Sequence, residues 1–581
     1  MRSLKVGTIM LNSGAGRTAA IGRAGVAEEV SGIMSSMPVC NNLIASANAN
    51  ARLLVTPREY RHNCRVTISH PDPAGGLRTQ DAKFGSQFIH SAAQFVAASA
   101  EGRIVAWGII GFIAVWMVYD TVSLWPAALH WDASEAALWA QHFAFGYKHP
   151  PMTAWLFAAW FAIFPRADWA AHLLAVIICA ATLAMSWRLS RDHLDKYKAL
   201  FGLAALSLIP LFTFKATELN AGTVMMPFWA AALLFYLRAR RGLGVWNALL
   251  AGAFASLTML GKYWAIYLFA GMAVAAVAGA DARRFWRSPV PYLMAVGAAV
   301  VIAPHLYWYV SQNGGSNYQF MRESVMNQAS FGATLAGSLR YLLGVIAYAA
   351  GPLVLLAALR PGSAVLRDIA WPADTERRQA LILFVVPLIL PALVNLVLPH
   401  RLTAVWTYPN WALLPVVLYG SRQLVIDATA SAAAGLVAVA MASVAVIASP
   451  VVAYEKLSAG LDPNRPDAQP VAIAAARIAG GAPVRLFWGS AALANGLPFY
   501  LPGVHPLNVD PSSPMGRAAS KREGLLLVCL DVDALCRASV AALAGGDAER
   551  RSDDIVIRHT FLGFTGPATK AHVTVVPASA Q

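Results

Sequence analysis

Charge is scarce in this chain. Only 13% of its 581 residues are Asp, Glu, Lys or Arg and 57% are hydrophobic, whereas an average soluble domain carries about 25% charged residues. A soluble fold of this size must cover its outside with charged side chains. That class is excluded, and lipid must act as solvent for much of the surface. Cysteine is scarce too: there are five, with no cluster of Cys and His that resembles a metal site. The chain does not open on a basic start followed by a short apolar core, the form of a secretory signal. Walker loops, dinucleotide glycine fingerprints after a strand and HExxH helices are missing, which removes the commonest nucleotide, nicotinamide and zinc-hydrolase readings. No cofactor and no metal are implied. The net charge of +15 would suit nucleic acid. The basic residues, however, lie in short loops between apolar runs, the pattern that orients membrane proteins.

Apolar sequence is what the chain has in quantity, in runs near the 20 residues that let a helix cross a bilayer. Residues 1–100 are small, polar and aperiodic, and read as a disordered or mis-assigned leader. From Ile104, eleven spans are expected, near 104–124, 169–187, 199–214, 221–237, 245–260, 262–280, 289–310, 334–358, 380–398, 405–420 and 431–453, with thirteen as the upper bound. Basic loops follow the even-sided turns: Arg188–Lys198, Arg238–Arg241, Arg283–Arg287, the stretch from Arg360 to Arg378, and Arg422. With the N-terminus inside, all of these fall on the cytoplasmic side. The loops 125–168, 215–220, 311–333 and 399–404 then lie outside, as does everything after Tyr454. This parity requires that Met152–Phe164 does not span. It has thirteen residues, too few to cross comfortably, and its aromatics suit a helix lying in the interface.

The tail, 455–581, has Pro and Gly turns and short apolar strands at Val484–Trp488 and Gly524–Leu530. A helical stretch, Ala468–Ile478, precedes the first strand, and another, Val532–Ala544, follows the second. Alternation of this kind predicts a small α/β domain. The expected architecture is therefore an α-helical polytopic membrane protein of about 11 transmembrane helices, with a membrane domain over 101–454 and an outer α/β domain over 455–581. Cys529 and Cys536 either pair in an oxidising compartment or stay separate buried thiols.

The first outer loop concentrates chemistry. Asp132 and Glu135 stand three apart and share a face on a helix. His142, Lys148 and His149 follow, and Pro150–Pro151 fix the direction of the chain. Carboxylates at a membrane interface are costly and usually functional, although a capped, solvated loop would also accommodate them.

Here the loop resembles the GT-C fold glycosyltransferases, in the branch of protein O-mannosyltransferases and lipid A aminoarabinose and galacturonic acid transferases (a glycosyltransferase family 39-like pattern). Asp132 takes the place of the family Asp. Trp139 and Gln141, Gly146–Tyr147 and His149–Pro150–Pro151–Met152 follow at the family spacing. The pattern departs in one place: Ala133 stands where the family has an acid, and Glu135 comes two positions later. Glu218-Leu219-Asn220 ahead of Pro227 resembles the second outer loop, Gly261-Lys262-Tyr263-Trp264 a Lys-Tyr-Trp at the outer end of a span, and Arg401 a basic position ahead of Trp406 and Pro409. Phe487-Trp488-Gly489 and Phe499-Tyr500 resemble the family's small periplasmic domain.

The resemblance implies a glycosyltransferase of the bacterial inner membrane. It would move a sugar from a polyprenyl phosphate to a lipid, glycan or protein acceptor on the periplasmic face, without nucleic acid partners. Asp132 would be the catalytic base, assisted by Glu135. Lys148, His149, Lys262 and Arg401 would hold the donor phosphate, and Glu218 and Asn220 would be polar groups of the second loop. Each has a structural alternative: a snorkelling Lys262, a capped His149, a stray Arg401, a hairpin satisfied by Glu218 and Asn220. The competing function is a transporter or flippase of lipid-linked sugars, for which internal repeats with broken helices are expected. None is evident.

Overall fold

The computed structural model describes residues 75–311 and 330–578, apart from 126, 142, 148, 280, 461, 463–464, 466, 491–492, 494–495, 508, 512 and 543–549. The chain divides into two compact units, up to Lys83 and from Phe84 onward. Of the first, only the opening of the helix Gly75–Ala98 is described, so the stretch expected as a leader ends in a helix. The second unit holds both the helical bundle and the tail.

Among the described residues, seven helices are long and apolar enough to cross a membrane: Glu101–Ser123, Asp168–Arg191, Ala221–Arg240, Val290–Ser311, Phe331–Tyr348, Thr375–Val397 and Ala428–Ala459. The other four expected stretches are shorter or interrupted: Lys196–Ser207, Val245–Gly261, Ile266–Ala278, and a 3₁₀ run Ala404–Leu413 that continues as Leu414–Tyr419. Met152–Phe161 is a separate ten-residue helix.

Contacts sort the helix ends into two sets. At one end the basic loops meet acids, as solvated helix ends require. Arg191 reaches Glu101 at 2.7 Å and Arg238 reaches Asp192 at 2.5 Å. Arg240 pairs with Asp281 and Arg241 with Glu376, and Lys198 Nζ donates to Ser421 O at 2.8 Å. At the other end lie the first loop, residues 209–220, Lys262 and the tail. His305 Nδ1 is 2.6 Å from Phe145 O, and Tyr408 Oη donates to Lys215 O at 2.7 Å. The basic loops expected on a single side do gather at one end.

Between the ends, helices approach through small residues. A Cβ on Gly252 would lie 1.8 Å from Met294 O, and one on Gly297 would lie 2.1 Å from Leu249 O. The helices Val245–Gly261 and Val290–Ser311 therefore cross with backbones in contact, the packing that lipid-embedded helices favour. Trp229, Tyr236, Tyr408, Trp411 and Tyr419 fill the interior.

The tail folds as α/β around a five-stranded sheet of order β2-β1-β3-β7-β4. β1 (Leu486–Gly489), β2 (His505–Pro506) and β3 (Leu525–Leu530) run parallel; β4 (Arg551–Ile557) and β7 (Thr569–Val576) are antiparallel to their neighbours. β3 is buried along its whole length because it has strands on both sides and helices over its faces. The small hairpin of β5 (Thr560–Phe561) and β6 (Phe564–Thr565) stands apart. Cys529 and Cys536 form a disulfide tying β3 to the helix Ala534–Ala542, with Cα atoms 5.5 Å apart.

Candidate active site

Trp131–Trp139 is a helix because His130 caps it: its ring Nδ1 accepts from the Asp132 N–H at 3.3 Å. Burial holds His130 below the usual imidazole range, which suits an accepting nitrogen; Asp132 and Glu218 act against that shift. Asp132 lies in the first turn, where the positive end of the helix dipole favours a carboxylate. Its side chain is 45% exposed. The opposite face of the helix is apolar: Ala133, Ala136 and Ala137 pack against Phe157, Leu174 and Phe499.

This burial explains the departure from the family pattern. Ala133 is 1% exposed and points into the packed core. Glu135, three residues from Asp132, is only partly buried and lies on the same side of the helix as Asp132. An acid at 133 would be desolvated, whereas an acid at 135 keeps contact with the open face.

Tyr147 stacks on Trp139 with centroids 4.8 Å apart. Burial pushes its phenol up, and Glu135 and then Asp132 add to that shift, so both acids act on the same spot. Beside it, Gly146 lies against Trp308. A Cβ there would come within 2.3 Å of the indole. Gly146→Ala is expected to cost about 1–3 kcal/mol, the usual penalty of overpacking, read as a lowered Tm in detergent; an unchanged Tm would show that Trp308 yields freely. His305, which anchors the neighbouring Phe145 carbonyl, also lies 3.1 Å from the Tyr263 hydroxyl.

Lys262 ends the helix Val245–Gly261 with extended backbone, and its Nζ sits 4.4 Å from the Trp406 ring centroid. Burial draws the ammonium down to about 8; Asp132 opposes this and Arg401 adds to it. Lys262 is therefore within electrostatic reach of two other residues expected in the site, Asp132 and Arg401, both distant from it in sequence. Arg401 is exposed and makes no hydrogen bond or ion pair among the described residues. His149 is partly buried, and its carbonyl accepts from the Tyr147 N–H at 3.1 Å. Lys148 and His142 lie outside the described residues.

The second loop serves structure as well. Glu218 pairs with Lys215 at 2.9 Å. Asn220 caps the helix Ala221–Arg240, accepting from Gly222 N at 2.8 Å and Thr223 N at 3.1 Å in a capping box. Leu219 between them holds φ 30, an uncommon conformation for a side-chain-bearing residue.

Sequence reasoning missed how the tail braces this helix. Gln141 Nε2 donates to Pro498 O at 3.0 Å and its Oε1 accepts from Gly503 N at 3.0 Å. Phe499 is fully buried under the alanine face, and Tyr500 hydrogen-bonds Asp168. Arg465 Nη1 donates to Ala128 O at 3.1 Å, two residues before the capping His130. Asp120 was missed as well. It is fully buried in the helix Glu101–Ser123, and neither carboxylate oxygen has a hydrogen-bond partner among the described residues. An acid inside an apolar run was the available signal for it.

Residues 148–308 match the family described as dolichyl-phosphate-mannose-protein mannosyltransferase. A curated relative, the lipid A galacturonosyltransferase RgtD of Rhizobium johnstonii, is 26% identical over 294 residues, 49% of this chain and 58% of that protein. The chain thus spans somewhat over half the length of that relative. Two crystal structures of ArnT from Cupriavidus metallidurans cover 83% of this chain and 100% of their own. One, bound to undecaprenyl phosphate, matches with a TM-score of 0.54 at 16% identity. The other, in the apo state, matches with 0.55 at 15%. At such identity the likeness establishes a shared fold.

Proposed function

We propose that this chain, a membrane glycosyltransferase of the GT-C fold, moves a sugar from a polyprenyl phosphate to an acceptor at the membrane face that carries the tail. The observation that carries this reading is that Lys262, at the end of a distant helix, lies within the electrostatic influence of both Asp132, on the open face of one short helix, and Arg401. A carboxylate beside cations at the end of a helical bundle fits transfer from a lipid-linked phosphate. An acceptor hydroxyl attacks the anomeric carbon and loses its proton to Asp132. The bond from that carbon to the phosphate oxygen breaks, and the polyprenyl phosphate departs with its charge offset by Lys262 and Arg401. Glu135 assists by orienting the acceptor. The ArnT structure with undecaprenyl phosphate supports the donor class, and the likeness to RgtD supports a lipid A-type acceptor.

The decisive assay is reconstitution of the purified protein with each donor type. Transfer is expected from a polyprenyl monophosphate sugar, unaffected by a chelator, because one phosphate needs only one or two cations. Transfer from a nucleotide sugar instead, or a loss on chelation that added metal restores, would overturn this donor assignment.

The basic loops gathered at the opposite end support a periplasmic address for site and tail. A reporter active only in the periplasm, fused after Gln581, is expected to be active. Silence there, with a cytoplasmic reporter working in its place, would reverse the orientation.

A further inference from the structure

The hairpin of β5 and β6 has features that a soluble surface does not explain. Its two-residue turn is Leu562-Gly563, with φ 49 and φ 84. Two positive φ values in succession make a turn that normally takes Asn, Asp or Gly first. Leucine there accepts backbone strain. It is also 74% exposed, and Phe564 beside it is 56% exposed. The apolar tip of the hairpin is thus held in a strained turn with much of its surface exposed.

The base of the hairpin fixes where that tip goes. His559 O accepts from Gly566 N at 3.0 Å and closes the loop. Gly566 approaches the last long helix, Ala428–Ala459, so closely that a Cβ would lie 2.7 Å from Leu457 O. Two residues back, Phe564 packs edge-on against Tyr454 at 5.0 Å. From Gly566 to Phe564 the hairpin therefore moves from Leu457 to Tyr454, one turn back along the helix and away from its end. Continued in that direction, the line from Leu457 to Tyr454 runs along the helix toward Val451 and Ile447. Both are exposed residues of a helix long and apolar enough to cross a membrane. Tyr454 stands where that stretch gives way to Glu455 and Lys456, the level at which aromatic side chains mark the membrane interface.

The geometry points to a membrane-dipping hairpin: Phe561, Leu562 and Phe564 enter the acyl–headgroup boundary of the bilayer that the chain itself spans, and hold the tail against the membrane. The occupant of this apolar tip is lipid, continuous with the lipid that covers Val451 and Ile447. A depth of about 5–10 Å is usual for such interfacial elements.

The test uses the full chain in phosphatidylethanolamine/phosphatidylglycerol vesicles, with a photo-crosslinking phenylalanine analogue in place of Leu562 or, as control, of the exposed Arg522. Irradiation and mass spectrometry of the labelled peptide are expected to give a phospholipid adduct at 562 at least tenfold more often than at 522. A second variant carries the probe at 561 together with Leu562→Asp, which charges the exposed turn and leaves the contact of Phe564 with Tyr454 in place; its adduct yield is expected to fall at least tenfold against the probe at 561 alone. Equal adducts at 562 and 522, capture of water only, or cross-linking of 562 to a second copy of the chain would each overturn the proposal.

Discussion

Replacing Asp132 with Asn lowers the rate of sugar transfer by roughly 10²- to 10⁴-fold, the range for a lost general base, while the protein stays folded. Asp132 sits at the first turn of its helix with its side chain half open, so the amide fits where the carboxylate was. His130 still caps through the backbone N–H of residue 132, which the substitution leaves in place. What disappears is the group able to take the acceptor proton. The loss should therefore fall on kcat more than on donor KM. Glu135→Gln is expected to cost less, since the proposed role of that residue is only to orient the acceptor. Single-turnover assays on both variants, with folding checked by Tm, measure the difference. Normal turnover in well-folded Asp132→Asn would remove Asp132 from the chemistry.

Lys262→Ala and Arg401→Ala weaken donor use by about 10- to 100-fold each, the value of a hydrogen bond to a charged group of about 1.5–3 kcal/mol. The loss appears as raised donor KM if the phosphate is held equally before and during transfer. Lys262 adds a pH signature. Its ammonium is drawn down to about 8 by burial and by Arg401, with Asp132 opposing. Below that pH the group is charged, as the proposed phosphate contact requires; above it the charge is lost. The donor kcat/KM, which reports the free enzyme, is therefore expected to fall as pH rises from 7 to 9. Lys262→Arg keeps its charge throughout and should flatten that limb. An unchanged slope in Lys262→Arg would assign the titration to another group.

The membrane character and the exclusion of Met152–Phe164 as a span were legible because they rest on one-dimensional physics. Bilayer thickness sets the length of an apolar run, and that measure separated Met152–Phe161 from the long helices. The seven long helices obey the same rule. The shorter, interrupted ones needed the structure, since a helix broken at Lys262 keeps its place by packing on its neighbours. In the tail, β1 and β3 and the helices beside them came from local pattern. β4 and β7 did not: β7 is stabilised by a ladder to β3, distant in sequence, and β4 sits at the sheet edge beside β7, with exposed charge along it masking any alternation.

The first loop shows the same division at the site. Sequence by itself determined that Asp132 and Glu135 share a helical face, because helix geometry alone relates residues three apart. It determined the need for glycine at 146 only as a motif; the reason, an indole from residue 308 pressed against that backbone, is tertiary. The electrostatic influence of Asp132 and Arg401 on Lys262, and the bracing of the helix by Gln141, Phe499 and Arg465, came from the fold. Composition and periodicity record what a residue prefers as solvent, lipid or water, and which neighbours lie one turn away. They carry no record of which distant segment a packed bundle brings alongside, since close packing and loop closure decide that for the whole chain at once.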